Sequence, residues 1–583
     1  ISLEDLPAPS STFKPDSETL AQRQKVFGYT VEDAKIIMAP MVSTGMEATG
    51  SMGNDSPLAV MSEKPQLIFN YFKQLFAQVT NPPLDGIREE IVTDTSLSLG
   101  SNYNIFDVIE EHSISLNINN PIISNEDLDK IKYINHEKFK SRSLECLYEF
   151  KKGHNGIEEA LDEIVLKIEM ELWMPDDWNG KFLAVGNGGW AGSISFSAMA
   201  LGLQSGYAVA SNDTGHIGGS AAFAVGHPEK VVDFAWRAMH EMTMHSKTLI
   251  ERFYERPPQL SYYQGCSTGG RQGMMSAQRF PEDFDAIIAG APVYNQLALN
   301  AVQFHNMKTL IENRPLALSP EKVQLLHEAL MASCEANDGV ADGFLNDPLS
   351  CAFEPESLRC EGSQTSACLT GDELSAVDAV FGGAYDSNGV LLYPGHAKGF
   401  ELGWRIPQAN AVPSALQTEA TQYVAYEDPD WDWREFELER DLALVRSKAG
   451  FIEALDTDLS EFKARGGKVL FYHGWNDPGP SPINTINYYN QVLATVDGDN
   501  DDWMRLFMMP GMGHCRGGIG PDQADFLGAL DTWSEDDIVP QSITAARIRE
   551  GRVDMTRPLC PYPQVAQWDG QGNPDDAASF SCQ

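Results

Sequence analysis

The sequence predicts an α/β fold, a mostly parallel sheet covered by helices on both faces, and three observations lead there. From Val165 onward, short runs rich in β-branched and aromatic residues alternate with longer stretches of helical periodicity, as parallel strands joined by crossover helices require. A G-x-S-x-G sequence at Gly265–Gly269 stands between a strand-like run and a helix that begins near Gly270. With 42% hydrophobic and 21% charged residues, the chain has the composition of a globular protein long enough for several folding units.

The elements follow in order. Lys181–Val185 (KFLAV), within Gly180–Gly186, is a strand opening into the glycine-rich NGGWAG, and Tyr207–Ala210 is a strand ending at SNDTGH. Helical periodicity runs from Val231 to Tyr254, after which Tyr262, Tyr263 and Gln264 lead as a strand into Gly265. Phe284–Ala289 (FDAIIA) and Lys468–Tyr472 (KVLFY) are two further buried strands. Between them the sheet is interrupted by an insertion, residues 292–467, with its own helices, four cysteines and Trp404, Trp431 and Trp433; it is expected to be a lid. Residues 165–291 and 468–583 are then the two parts of one sheet domain. Residues 1–164 form an unrelated preceding α/β segment, whose style of sequence ends near Ile164; it holds a predicted helix at Gln66–Val79, stopped by Asn81, Pro82 and Pro83, and no catalytic cluster.

Lys and Arg number 42 against 83 Asp and Glu, a formal charge of −41, so nucleic acid and anionic membranes are not expected partners. No stretch approaches the roughly 18 apolar residues that span a bilayer. The opening residues lack a basic start followed by an apolar core, and a chain that begins at Ile1 leaves room for a leader upstream. Of nine cysteines one is early, Cys146, and the even set from Cys266 to Cys582 suggests disulfides and an oxidising compartment, hence a secreted or periplasmic protein. Local pairing of Cys334 with Cys351, Cys360 with Cys368 and Cys560 with Cys582 leaves Cys266 and Cys515 for each other, one of many connectivities a sequence permits.

The G-x-S-x-G sequence makes Ser267 the candidate nucleophile, held at a turn so tight that only small residues fit two places to either side. A serine hydroxyl needs a base within reach and a third group to orient that base. Asp477 follows the strand of KVLFYHGWN, His514 lies in GMGHC after RLFMM, and the order Ser, Asp, His is that of α/β hydrolases. His473 and His216 compete for the role of base, each with the alternative of a hydrogen-bonded structural histidine near a strand end. Asp213, in SNDTGH, competes for that of acid, but it precedes Ser267 and is expected to brace a turn. The oxyanion hole is expected from the N–H of Thr268 and that of Gly188 or Gly189, unless NGGWAG is only a flexible turn. Cys266 immediately precedes the serine and Cys515 immediately follows the histidine, so a bond between them would tie the two loops together. In residues 334–344 (CEANDGVADGF), Glu335, Asp338 and Asp342, with the carbonyls of Val340 and Phe344, suit a calcium ion; the spacing is not that of an EF-hand, and a solvated acidic loop is the alternative. No organic cofactor is expected, and the sequence sets no oligomeric state.

Together GCSTGGRQG, HGWNDP and GMGHC resemble the tannase and feruloyl esterase family, which includes bacterial mono(2-hydroxyethyl) terephthalate hydrolases, over about Val165 to the C-terminus. The resemblance implies a carboxylic-ester hydrolase acting on a small aromatic ester of feruloyl, galloyl or terephthaloyl type. It also implies the triad Ser267, Asp477 and His514, a bond between the flanking cysteines, a lid, and structural calcium at Asp338, Val340, Asp342 and Phe344. Glu335 stands where an aspartate is usual. Phe27 to Gly100, with GSMGNDSPLAVMSEKP and YFKQLFAQVTNPPLDGIREE, resembles the central domain of the glutamate synthase large subunit, a likeness that continues to about Glu163. That family's amidotransferase and flavin-binding modules are missing, so a fusion or an assembly join without an active site is expected. It stands where the esterase family usually has a stretch that closes the hydrolase domain. The rival readings are a glutamate synthase-related fragment with no hydrolase activity, a serine peptidase using the same triad, and a non-catalytic binding protein on a hydrolase fold.

Overall fold

The computed structural model describes residues 168–362, 366–404, 407 and 411–583; the segment up to Ile164, with its predicted helix and Cys146, lies outside them. Seven strands form the main sheet: β1 Met170–Trp173, β2 Lys181–Val185, β3 Ala208–Asn212, β4 Leu260–Cys266, β5 Ala286–Gly290, β6 Lys468–Gly474 and β7 Met504–Met509. Their order is β1-β3-β2-β4-β5-β6-β7, with β1 antiparallel to β3 and every other pair parallel. Every residue of β2, β3, β5 and β7 is buried, which is why these strands read as mainly apolar runs rather than as alternating ones, with Lys181, Ser211, Asn212 and Arg505 their polar members.

Alternate residues feed two cores. On one face Phe182, Ala184, Tyr263, Ile287, Val469 and Phe471 pack against α2 (Ala238–Tyr254), α3 (Thr268–Arg279) and α8 (Pro482–Thr495). On the other, Leu183, Val185, Tyr262, Ile288 and Leu470 pack against α1 (Phe196–Gln204) and α9 (Phe526–Asp536). The chain therefore leaves β2 toward one face and leaves the adjacent β4 toward the other. That divergence makes the carboxyl ends of β2 and β4 the sheet's switch point, the place where open α/β sheets bind ligands.

Three features depart from the sequence reading. The helix expected over Val231–Tyr254 forms, but with a widened π turn at Asp233–Arg237, which presents the Phe234 and Ala235 carbonyls to the buried Arg271 guanidinium at 3.1 and 2.9 Å. The short edge strand β1 was not read. Nor was the hairpin Ile543–Arg549/Arg552–Leu559, whose turn residues Glu550 and Gly551 both have positive φ, as a two-residue hairpin loop demands.

The insertion between β5 and β6 holds α4 (Gln296–Glu312), α5 (Pro320–Cys334), α6 (Gly371–Gly382) and α7 (Leu438–Ala449). Leu297, Phe304, Phe436, Leu442 and Ile452 share a core with Trp190 and Phe234 of the sheet region, while Leu326, Leu330, Leu369 and Val377 form a separate core beside Cys334 and Cys351. All four disulfides join the cysteines paired above: 266–515, 334–351, 360–368 and 560–582. Among the described residues no helix is long and apolar enough to cross a membrane.

Candidate active site

Ser267 links β4 to α3 with φ 65° and ψ −123°, a conformation that costs a non-glycine residue about 1–3 kcal/mol. Three backbone hydrogen bonds hold it there: Ser267 N–H to Gly290 O at 2.9 Å, and the N–H groups of Arg271 and Val293 to Ser267 O, each at 3.1 Å. The flanking glycines are obligatory on steric grounds. A Cβ on Gly265 would lie 2.6 Å from the carbonyl carbon and oxygen of Gly269, and one on Gly269 would lie 2.8 Å from Asn187 O.

Asp477 follows β6 and is fully buried; His514 follows β7, with about a third of its side chain exposed. His514 Nδ1–H donates to Asp477 Oδ2 at 2.6 Å, which leaves Nε2 as the ring's free lone pair. Cys266 and Cys515 are bonded with their Cα atoms 5.9 Å apart, so the loop carrying His514 is covalently joined to the turn carrying Ser267. The Ser267 hydroxyl and the His514 ring are not hydrogen-bonded to each other in this structure. Such contacts commonly tighten only when substrate is bound.

The two rival histidines have other partners. His473 is fully buried; its Nε2 lies 3.1 Å from Asp477 Oδ2 and its Nδ1 2.7 Å from the Thr485 hydroxyl, so it is a second donor to the same carboxylate. Gly479 N–H reaches Asp477 Oδ1 at 2.8 Å. Burial pushes the Asp477 carboxyl up, but hydrogen bonds from His473 and His514, together with their charge, hold it down at about 2. The four-residue spacing of His473 and Asp477 in HGWND was the available signal for this pairing. His216 stacks on Phe223 and its Nε2 meets Trp190 O at 2.7 Å, with burial lowering its pKa, so it supports the glycine loop. Asp213 braces a turn, accepting from the N–H groups of Glu169 and Gly215, each at 2.9 Å.

Thr268 is the first residue of α3, where backbone N–H groups have no intrahelical acceptor. Across from it, neither Gly188 nor Gly189 donates a backbone hydrogen bond among the described residues, and the Thr268 hydroxyl donates to Gly189 O at 2.9 Å. The glycine loop after β2 and the start of α3 are thus in direct contact at the sheet's switch point. A Cβ added to Gly188 would meet nothing within 4 Å, so this position borders open space.

The acidic loop is partly neutralised from within. Asp342 accepts from the buried Arg557 guanidinium, Asp338 from the Asn346 amide and from Val340 N–H at 3.1 Å, and Glu335 from Gly343 N–H at 2.5 Å. Among the described residues no three acidic, histidine or cysteine side chains converge as a metal-binding group. Two buried oxygens, Asp342 Oδ1 and Asn346 Oδ1, have no hydrogen-bond partner, and burial pushes Asp342 up to about 6 despite Arg557.

The sheet order, the strained turn after β4 and the chain order of the three side chains define an α/β hydrolase. Residues 156–583 match the family described as tannase and feruloyl esterase. A probable feruloyl esterase B-1 of Aspergillus flavus is 35% identical over 439 residues, covering 71% of this chain and 83% of its own. Feruloyl esterase B from Aspergillus oryzae, a solved structure, is 31% identical with a TM-score of 0.68, over 72% of this chain and 88% of that one. The solved tannin acyl hydrolase from Aspergillus niger, at 22% identity and TM-score 0.61 over 74% of this chain and 85% of that one, shares the fold. The chain belongs to the tannase and feruloyl esterase family and is a carboxylic ester hydrolase. Residues 22–173 match the glutamate synthase central domain, and this match overlaps the esterase match over residues 156–173, which include β1.

Proposed function

We propose that the chain hydrolyses small esters of aromatic acids, of feruloyl, galloyl or terephthaloyl type, through a Ser267–His514–Asp477 triad and an acyl-enzyme. The observation that carries this is the 2.6 Å hydrogen bond from His514 to buried Asp477 on a loop disulfide-bonded to the Ser267 turn. Asp477 fixes the tautomer that presents Nε2 as a base and stabilises the imidazolium formed in the reaction. Nε2 takes the Ser267 proton, the alkoxide adds to the ester carbonyl, and His514 returns the proton to the departing alcohol. Water, deprotonated by the same nitrogen, then releases the acid and restores Ser267. Thr268 N–H and the N–H of Gly188 or Gly189 would receive the tetrahedral oxyanion. The aromatic acyl group is inferred from relatives that are feruloyl esterases and are covered over most of their length.

The insertion is proposed as a lid. Leu416 lies 3.7 Å from where a side chain on Gly189 would begin, and buried Glu419 accepts from Ser220 Oγ at 2.9 Å and Ala221 N–H at 2.8 Å. The two orphaned oxygens fit the acidic loop to a hard cation, so Asp338, Asp342 and Glu335 with the carbonyls of Val340 and Phe344 would hold calcium in a structural role, neutralising buried charge. Four disulfides favour an oxidising, secreted or periplasmic location. The test is a panel of methyl ferulate, methyl gallate, mono(2-hydroxyethyl) terephthalate and aliphatic esters of matched size. At least one aromatic ester is expected to exceed its aliphatic counterpart in kcat/KM by about tenfold or more; equal rates across the panel would refute the aromatic assignment.

A further inference from the structure

The two proposed oxyanion donors stand on different elements, Thr268 at the head of α3 and Gly188 or Gly189 in the loop after β2, which the chain routes to opposite faces of the sheet. No backbone–backbone hydrogen bond joins loop residues 187–192 to α3 among the described residues; the ties are the Thr268 hydroxyl on Gly189 O at 2.9 Å and the contacts between Asn187 and Gln272. Side chains therefore set their separation. We propose that Asn187 and Gln272 are a positioning pair that fixes the glycine loop against the nucleophile helix and so holds the two oxyanion donors in register. The proposal rests on the triad reading above.

The pairing is reciprocal. Asn187 N–H donates to Gln272 Oε1 and Gln272 Nε2 donates to Asn187 Oδ1, both at 3.0 Å. The remaining Asn187 amide hydrogens are spent on Ser193 O and Asn212 O, each at 2.8 Å, which fasten the far end of the loop and the end of β3 to the same side chain. The Tyr263 hydroxyl lies beneath, 2.7 Å from Gly269 O and 3.3 Å from Gln272 Oε1. Asn187 is 6% and Gln272 2% exposed, so water cannot substitute for a lost partner, and one geometry satisfies the whole set. Gln272 lies little more than one helical turn beyond Ser267 and Asn187 immediately precedes Gly188, so a shift in the pair is passed directly to both donors.

Gln272→Met removes the pairing at similar volume, and Gln272→Glu keeps the acceptor for Asn187 N–H but not the donor to Asn187 Oδ1. Kinetics on the ester that the full chain hydrolyses best are compared with inhibition by an arylboronic acid, whose tetrahedral adduct needs the oxyanion site. Expected is a fall in kcat of about tenfold to hundredfold with an equal loss of boronate affinity and KM within about twofold, measured well below each variant's Tm. If Gln272→Met does not fold, Gln272→Glu carries the same expectation. A folded variant with wild-type kcat and boronate affinity, or one that changes only KM or Tm, would overturn the pair's role while phosphonate labelling of Ser267 in the wild type still upheld the triad. Failure of that labelling would remove the triad reading and this inference together.

Discussion

Replacing Cys266 and Cys515 together by alanine should damage the protein in two separable ways. The bond closes a loop with a sequence separation of 249, and the two disulfides nested inside it span only 17 and 8 residues, so they shorten it little. Chain-entropy bookkeeping then puts its contribution at about 5 kcal/mol, a large part of the roughly 5–15 kcal/mol that separates folded from unfolded domains. The second effect is local. Ser267 at φ 65° and Cys515 at φ 62° are both strained, and the bond joins the two strained turns. Strain of about 1–3 kcal/mol at each site persists only where the surroundings over-determine it. Release of the tie lets the serine and the imidazole drift, and a displacement of about 1 Å can cost about a hundredfold in rate. Urea unfolding followed by tryptophan fluorescence reads the first effect, and initial rates with excess ester at low temperature read the second. The expected result is a lowered urea midpoint together with a kcat reduced about tenfold to hundredfold at nearly unchanged KM. A folded double variant with wild-type kcat would refute the claim that the bond positions the reacting groups.

Asp477→Asn should reduce kcat by about 10³- to 10⁴-fold, because the amide no longer selects the tautomer that leaves Nε2 basic; a loss below tenfold in steady-state kinetics would contradict the assignment. The same carboxyl is held below its unfolded value of 3.8, at about 2, so it adds stability above pH ~4 that disappears as pH falls toward ~2. The difference in urea midpoint between wild type and Asp477→Asn should therefore shrink across that window from a contribution of about 2 kcal/mol, and a pH-independent difference would contradict the pairing. Removal of calcium with a chelator should lower Tm reversibly, with restoration by calcium but not magnesium; an unchanged Tm would count against the metal loop. Gly265→Ala should abolish soluble or active protein, since its Cβ would lie 2.6 Å from Gly269 backbone atoms, and wild-type activity would contradict the turn's geometry.

The parts of the fold legible in the sequence are those whose signals are local. FLAV, AIIA and VLFY are buried on both faces and read as unbroken apolar runs; small residues around Ser267 are forced by contacts under 3 Å. The disulfides were legible because three pairs are close in sequence. β1 was not, being four half-buried residues whose partner, β3, is almost forty positions away. The π turn was equally hidden, since its reason is Arg271, more than thirty residues downstream. Of the two readings open for His473, competing base and hydrogen-bonded structural histidine, the structure fits the second, and the sequence did not reveal that its partner is the Asp477 carboxylate. Asn187 and Gln272 gave no sign of each other, because a buried amide pair has no periodicity and no spacing rule.

Whether Ser267 is the nucleophile is decided by labelling the full chain with a fluorophosphonate and locating the adduct by peptide mass mapping. One adduct is expected, on Ser267, with ester hydrolysis lost in proportion to labelling and no adduct on a Ser267→Ala protein. Hydrolysis that survives complete labelling, or that persists at the original rate in Ser267→Ala, would contradict that role.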